Sequence, residues 1–241
     1  MNNNQKKKQN ANKGYITAIA VLSVVLIALV VYILMPMGVK APSTENNSSQ
    51  SSTDNTGGST TAANDSEDVT DDNFLDKIDT SDSKNVNVEM TDGGKFTITV
   101  YPHVAPETVE NFLTLVKSGF YDGLTFHRVI DGFMAQGGDP KGDGTGGSDK
   151  TIKGEFSNNG FENNLSHRRG VVSMARSQDP DSASSQFFIC YAASPHLDGE
   201  YAAFGYVTSG METVDSFLSG GTDSNDRPNK EVKIKSMTVE E

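Results

Sequence analysis

The sequence predicts a mainly β domain, its short strands closing or nearly closing into a barrel with two helices, carried behind an apolar segment and a polar linker. Three observations predict this. Eight short stretches with strand character alternate with Gly-rich turns across the C-terminal two-thirds of the chain. Only two stretches there carry helical periodicity. Closing a sheet removes the exposed edges that so many short strands would otherwise present. The third observation is that the 241-residue average, 35% hydrophobic and 8% aromatic with no Trp, hides unlike segments.

Residues 1–14 form a basic tail holding Lys6, Lys7, Lys8 and Lys13 with no acid. Residues 15–37 are uncharged, and Ile19–Leu34 is apolar on every face of a helix. Crossing a hydrocarbon core takes about 20 apolar residues, so this segment reads as a transmembrane anchor. Lysines on its N-terminal flank predict a cytoplasmic N-terminus and a domain outside the membrane. The competing reading is a cleaved signal segment, whose apolar core usually runs about 7–15 residues. Cleavage would make the protein secreted. Pro42 directly after Val39-Lys40-Ala41 disfavours cleavage there.

Residues 38–84 are an acidic, polar linker. From 41 to 84 they carry ten acids and two Lys among Ser, Thr, Asn and Gly. Such a composition does not bury enough apolar surface to offset chain entropy, so disorder is expected, with a reach of roughly 35–40 Å. Phe74, Leu75 and Ile78 have the spacing of a short docking helix.

Residues 85–241 are the compact domain. Val86–Met90 and Lys95–Tyr101 alternate apolar and polar residues, with a hairpin turn at Asp92-Gly93. A helix opens at Pro106, suited to a first helical position, and carries the stripe Val109, Phe112, Leu113 and Val116 before Gly119. Six more strands are expected at Thr125–Val129, Phe133–Gln136, Val171–Ala175, Gln186–Cys190, Ala203–Val207 and Val232–Val239. A second helix is expected after Ser209-Gly-Met-Glu212, which reads as a capping box, and stops at Gly220-Gly221.

Composition excludes several function classes. A net charge of −12 argues against nucleic-acid binding, which requires a basic surface. The single cysteine, Cys190, excludes an intrachain disulfide and reads as a buried thiol. His103, His127, His167 and His196 are scattered, so no metal site is expected. No nucleophile elbow or H-E-x-x-H pattern occurs. Gly137–Gly147 does not fit a phosphate-binding loop. No cofactor is implied.

One segment concentrates chemistry. Phe126–Asp139 holds Arg128, Phe133, Met134 and Gln136. Arg128 and Gln136 are eight residues apart, so strands joined at Asp131-Gly132 would put them on one face. The plainer alternative places Phe133 and Met134 in the core and Arg128 in a salt bridge.

This segment resembles the signature of the cyclophilins, the cyclosporin-binding peptidyl-prolyl cis–trans isomerases. Gly144-Thr-Gly-Gly147 follows in the family's order, then Val172–Arg176 with Ser185–Cys190, then His196–Gly199 with Phe204-Gly205. Pro106–Phe112 matches as well, so the likeness covers about residues 86–240. It implies a closed eight-stranded antiparallel β-barrel capped by two α-helices. It also implies Arg128 as the catalytic arginine, with Phe133, Met134, Phe188 and Leu197 as the proline pocket. Gln136 and Gln186 resemble the polar residues that hold substrate, with the backbone of Ala175 and Arg176. Arg176, His196 and Tyr201 stand where eukaryotic members have Asn, a drug-contacting Trp and a pocket His. Met174–Ala183 is similar to bacterial members, and weak cyclosporin binding is expected.

The expected partners are proline-containing segments of unfolded or secreted proteins, with the membrane engaged through the N-terminal helix. A monomer is expected, since no heptads or long apolar edge occur. The alternative function is a non-catalytic proline-peptide-binding module or holdase, built on the same pocket.

Overall fold

A computed structural model of the protein describes residues 78–240. The basic tail, the apolar segment 15–37, the linker up to residue 77, and Phe74 and Leu75 of the expected docking helix lie outside the described residues. Among the described residues no helix is long and apolar enough to cross a membrane.

Strand β1 (Lys84–Met90) and strand β2 (Lys95–Val100) form the expected hairpin, with Glu89 opposite Lys95. Helix α1 (Pro106–Lys117) starts on its proline and buries Val109, Phe112 and Val116. Its N-cap, Ala105, offers no side-chain acceptor. The carboxylate of Glu155 supplies one from 47 residues away, accepting the N–H of Glu107 (3.0 Å) and Thr108 (2.8 Å). An anion at that end of a helix satisfies orphan donors and opposes the positive dipole.

Six strands follow: β3 (Arg128–Ile130), β4 (Met134–Gly137), β5 (Val171–Met174), β6 (Phe187–Cys190), β7 (Ala203–Ser209) and β8 (Ile234–Val239). They join β1 and β2 in one antiparallel sheet of order β3-β4-β6-β5-β7-β2-β1-β8. The expected closed barrel does not form. Edge strands β3 and β8 share no ladder, so the sheet is a half-barrel. A single antiparallel bridge between Thr125 and Lys233 stitches the seam. Beside it Phe126 N–H donates to Val232 O, and Ile234 N–H to Leu124 O, both at 2.9 Å. Thr125 also bridges Asp139, and His127 N–H donates to Gln136 O at 3.0 Å, so residues 125–127 join the β4 side to the seam although the regular strand β3 starts only at Arg128.

Helix α2 (Met211–Asp215) corrects the second helix. Its N-cap is Gly210 at φ 79°, with no side-chain cap, so the expected capping box does not form. A Cβ on Gly210 would collide with the Lys95 carbonyl on β2. The chain must turn there through a backbone conformation that glycine reaches without strain. Ser209 consequently finishes β7 rather than capping the helix. The helix tightens at once into a 3-10 turn, Ser216–Leu218.

The core packs α1 against the sheet. Phe112 lies between Tyr121, Phe187 and Phe204, with ring centroids 5.4, 5.5 and 5.0 Å away. Fully burying each such ring contributes roughly 1.5–3 kcal/mol. A second apolar cluster of Tyr101, Val104, Leu165, Val171 and Ala203 receives Ile78. Ile78 sits in a bend, and residues 78–83 contain no helix. His103 beside this cluster forms ion pairs with Asp82 (2.6 Å) and Asp79 (3.7 Å).

Candidate active site

Register builds the site. Arg128 on β3 lies directly opposite Gln136 on β4, across the turn at Gly132. Gln136 in turn faces Phe188 on β6, and Phe188 faces Ser173 on β5. A cation, an amide and an aromatic ring thus stand side by side on three neighbouring strands.

Apolar residues gather around Phe188. Met134, Leu197 and Cys190 are buried with it, and Phe133, Ala175 and Tyr201 pack against them partly exposed. Tyr201 meets Phe188 edge-on at 5.9 Å, and the His196 ring lies over Phe133 at 5.7 Å. His196 and Leu197 arrive on a 3-10 turn, Pro195–Leu197. Of the expected proline pocket, Phe133, Met134, Phe188 and Leu197 all lie in this one cluster.

The amides are anchored beside it. Gln136 Nε2 donates to Gln186 Oε1 at 2.8 Å. Gln186 Nε2 donates onward to the carbonyls of Gly144 (3.1 Å) and Gly146 (2.8 Å). The Gly-rich loop is therefore a mount for Gln186. Asp139 shapes that loop, accepting the N–H of Lys141, Asp143 and Gly144 at 2.8, 3.1 and 2.6 Å. Burial pushes its carboxyl up, but these donors outweigh burial and hold it below the usual range. A Cβ on Gly146 would strike the same carboxylate.

Arg128 is half exposed, and its Nε–H donates to Asp226 Oδ2 at 3.3 Å. Both readings of Arg128 thus hold at once: it faces Gln136 and it makes a salt bridge. Arg176 points elsewhere. Its guanidinium donates to Glu200 O (3.0 Å), Glu200 Oε2 (3.3 Å) and Ser177 O (2.9 Å), and lies over Tyr201 and Phe156. The side chain braces Tyr201 from behind. The Ala175 N–H already donates to Gln186 O at 2.9 Å.

The sequence reading missed His167. The ring is buried and stacks on Phe188 at 6.0 Å and 17°. Its Nδ1 lies 2.8 Å from Asp198 Oδ1 and its Nε2 lies 2.9 Å from Ser173 Oγ. Burial holds this imidazole below the usual histidine range, outweighing Asp198. A neutral ring then donates through Nδ1–H to Asp198 and accepts the Ser173 hydroxyl proton at Nε2. Ser173 has no solvent exposure, so this Asp-His-Ser chain holds Phe188 in place and has no access to substrate. No motif spacing signals it: Ser173 is six residues from His167, but Asp198 arrives from 31 residues away. Cys190 is a buried thiol, pushed up to about 12 by burial. Among the described residues no three His, Cys, Asp or Glu side chains converge as metal ligands would.

The family model described as "Cyclophilin type peptidyl-prolyl cis-trans isomerase/CLD" matches residues 85–239. The chain belongs to the cyclophilin family. This cyclophilin is 48% identical over 131 residues to "Peptidyl-prolyl cis-trans isomerase B" of Bacillus subtilis, covering 54% of this chain and 88% of that one. A Helicobacter pylori peptidyl-prolyl cis-trans isomerase is 50% identical over 132 residues, covering 54% and 78%. The Arabidopsis thaliana isomerase CYP71 is 44% identical over 146 residues, 61% of this chain, which match only 23% of that longer protein. A crystal structure of a Cryptosporidium parvum cyclophilin in the presence of the dipeptide Ala-Pro superposes with a TM-score of 0.60 at 34% identity, covering 65% of this chain and 99% of that one. These relatives make the cyclophilin domain a peptidyl-prolyl cis–trans isomerase, and the family model's match begins at residue 85.

Proposed function

We propose that this cyclophilin accelerates X–Pro isomerisation in unfolded or secreted chains outside the cytoplasmic membrane, tethered there by residues 15–37. The single observation that carries the catalytic reading is Arg128 set opposite Gln136 beside the apolar cluster of Met134, Phe188 and Leu197.

An X–Pro bond has two isomers close in energy, separated by a barrier of about 18–20 kcal/mol. Uncatalysed exchange takes tens to hundreds of seconds, slow enough to limit folding. The barrier is amide resonance, which needs the proline nitrogen's lone pair. In the twisted transition state that lone pair localises, and the nitrogen becomes a better hydrogen-bond acceptor. A fixed guanidinium then bonds the transition state more strongly than the planar ground state. Arg128 fills this role because arginine stays charged and presents its donors in a rigid fork.

Phe133, Met134, Phe188 and Leu197 bury the proline ring and hold one side of the bond still. Gln136, oriented by Gln186, bonds the chain near the rotating carbonyl. The Arg176 backbone flanks it, and His196 and Tyr201 line the outer wall. No bond breaks, so the reaction uses no nucleophile. The Ala-Pro dipeptide used with the Cryptosporidium relative supports a proline-containing ligand at this site. His196 in place of an indole removes apolar area from that wall and supports weak cyclosporin binding.

A protease-coupled proline-peptide assay with the full chain tests the reading. Acceleration by substoichiometric protein is expected. Binding of the peptide without turnover would instead make the protein a holdase. The tether is tested by mass spectrometry of the mature N-terminus, where a start near Pro42 would replace the anchor with a secreted form.

A further inference from the structure

We propose that Asp226 is a positioning residue for Arg128, which makes the loop 222–228 part of the isomerisation machinery. The proposal rests on the reading of Arg128 as the catalytic group.

Asp226 grips β3 twice. Its carboxylate accepts the Nε–H of Arg128 at 3.3 Å, and its own carbonyl accepts the N–H of Val129 at 2.8 Å. Side chain and strand are thus fixed by one residue. Fixing Nε fixes the plane of the guanidinium fork, because the group is rigid. Among the described residues neither terminal nitrogen of Arg128 donates a hydrogen bond, so both remain for substrate.

The residue is held there against its backbone preference. Asp226 has φ 61°, the sole non-glycine positive φ among the described residues. Aspartate tolerates this conformation better than most side chains, yet it is strained and persists only where the surroundings over-determine it.

The surroundings do so. Asp223 Oδ1 accepts the N–H of Asn225 (2.8 Å) and Arg227 (3.0 Å), and Asp223 O accepts the N–H of Asp226 (3.1 Å). Arg227 ties the loop to the Gly-rich segment by donating to Gly142 O at 2.7 Å. Thr222 and Pro228 close its base as an isolated bridge.

Stability does not account for this construction. The Arg128–Asp226 pair is about half exposed on both sides, and exposed ion pairs add little to folding. Orienting the guanidinium before substrate arrives does account for it. A free arginine side chain would have to be ordered during each turnover, and a preset one would not.

The test compares the full chain with Asp226→Gly, Asp226→Asn and Arg128→Ala. Glycine removes the carboxylate and suits a positive φ. Asparagine keeps an acceptor for Nε–H without the charge and also tolerates this backbone. Asp226→Gly is expected to lower kcat about tenfold with KM little changed, the signature of lost preorganisation. Asp226→Asn should restore most of the rate.

The Nε–H resonance of Arg128, assigned by its absence in Arg128→Ala, should persist in Asp226→Asn and broaden in Asp226→Gly. Wild-type kcat in Asp226→Gly overturns the proposal, and so does an equal loss in both Asp226 variants. Full activity in Arg128→Ala would instead overturn the role of Arg128 itself, a distinct result. Should Asp226→Gly fail to fold, an Nε–H resonance in the wild type that exchanges as fast as a free arginine's overturns it independently.

Discussion

His167 lies flat against Phe188, its ring 6.0 Å away at 17°, and is locked at both nitrogens by Asp198 and Ser173. The wall of the proposed proline pocket therefore depends on a residue buried behind it. His167→Ala would open a buried cavity and leave the Ser173 hydroxyl without a partner. We expect a loss of about 2–4 kcal/mol in urea unfolding. KM for a proline peptide should rise as Phe188 loosens. An unchanged KM in the folded variant would show that Phe188 holds its place without the imidazole.

Stability should fall in mild acid. Burial holds both His127 and His167 below the usual histidine range, and neither nitrogen of His127 has a hydrogen-bond partner among the described residues. The folded state keeps these rings neutral, while the unfolded chain takes up protons below about pH 6.5. Their contribution is complete above that pH and is lost as the pH falls toward the folded pKa values. Urea midpoints should drop between pH 7.5 and 5.5, and His127→Gln with His167→Gln should flatten that slope. A flat wild-type profile would contradict this.

His103 works in the opposite sense. Asp82 first, then Asp79, raises its pKa against slight burial. Its ion pairs hold residues 78–83 near the cluster that receives Ile78. This contribution is present below about pH 6.5 and disappears as the pH rises through the folded pKa. Histidine NMR titration should place His103 above a free histidine, and Asp82→Asn should bring it down. A midpoint unmoved by Asp82→Asn would assign the shift elsewhere.

Glu155 should matter more than its position in a loop suggests. It is buried and accepts two backbone donors at the start of α1. Glu155→Ala leaves both donors unsatisfied, and a cost of about 2–3 kcal/mol is expected in urea unfolding. A loss under half a kilocalorie would mean that water replaces the cap.

The sequence made local features legible and hid those that depend on distant pairing. The Asp92-Gly93 hairpin, the start of α1 at Pro106 and the register of Arg128 with Gln136 follow from alternation and turn chemistry over a few residues. The half-barrel seam, the Glu155 cap, the His167 chain and Asp226 link segments 31 to 108 residues apart, measured from the bond of Asp198 with His167 and the bridge of Thr125 with Lys233. No periodicity records such links. The capping box at Ser209 failed for a related reason. A side chain at position 210 would collide with the Lys95 carbonyl of β2, and that close approach is visible only in the fold.

The most direct measurement is the turnover of Arg128→Ala beside the wild type, in the full chain, on an X–Pro peptide. Arg128 is half exposed and its ion pair adds little stability, so the variant should stay folded. Its kcat/KM should fall on the order of 100-fold, as when a preorganised transition-state donor is removed. A folded Arg128→Ala variant that isomerises the peptide at the wild-type rate would contradict the role of Arg128.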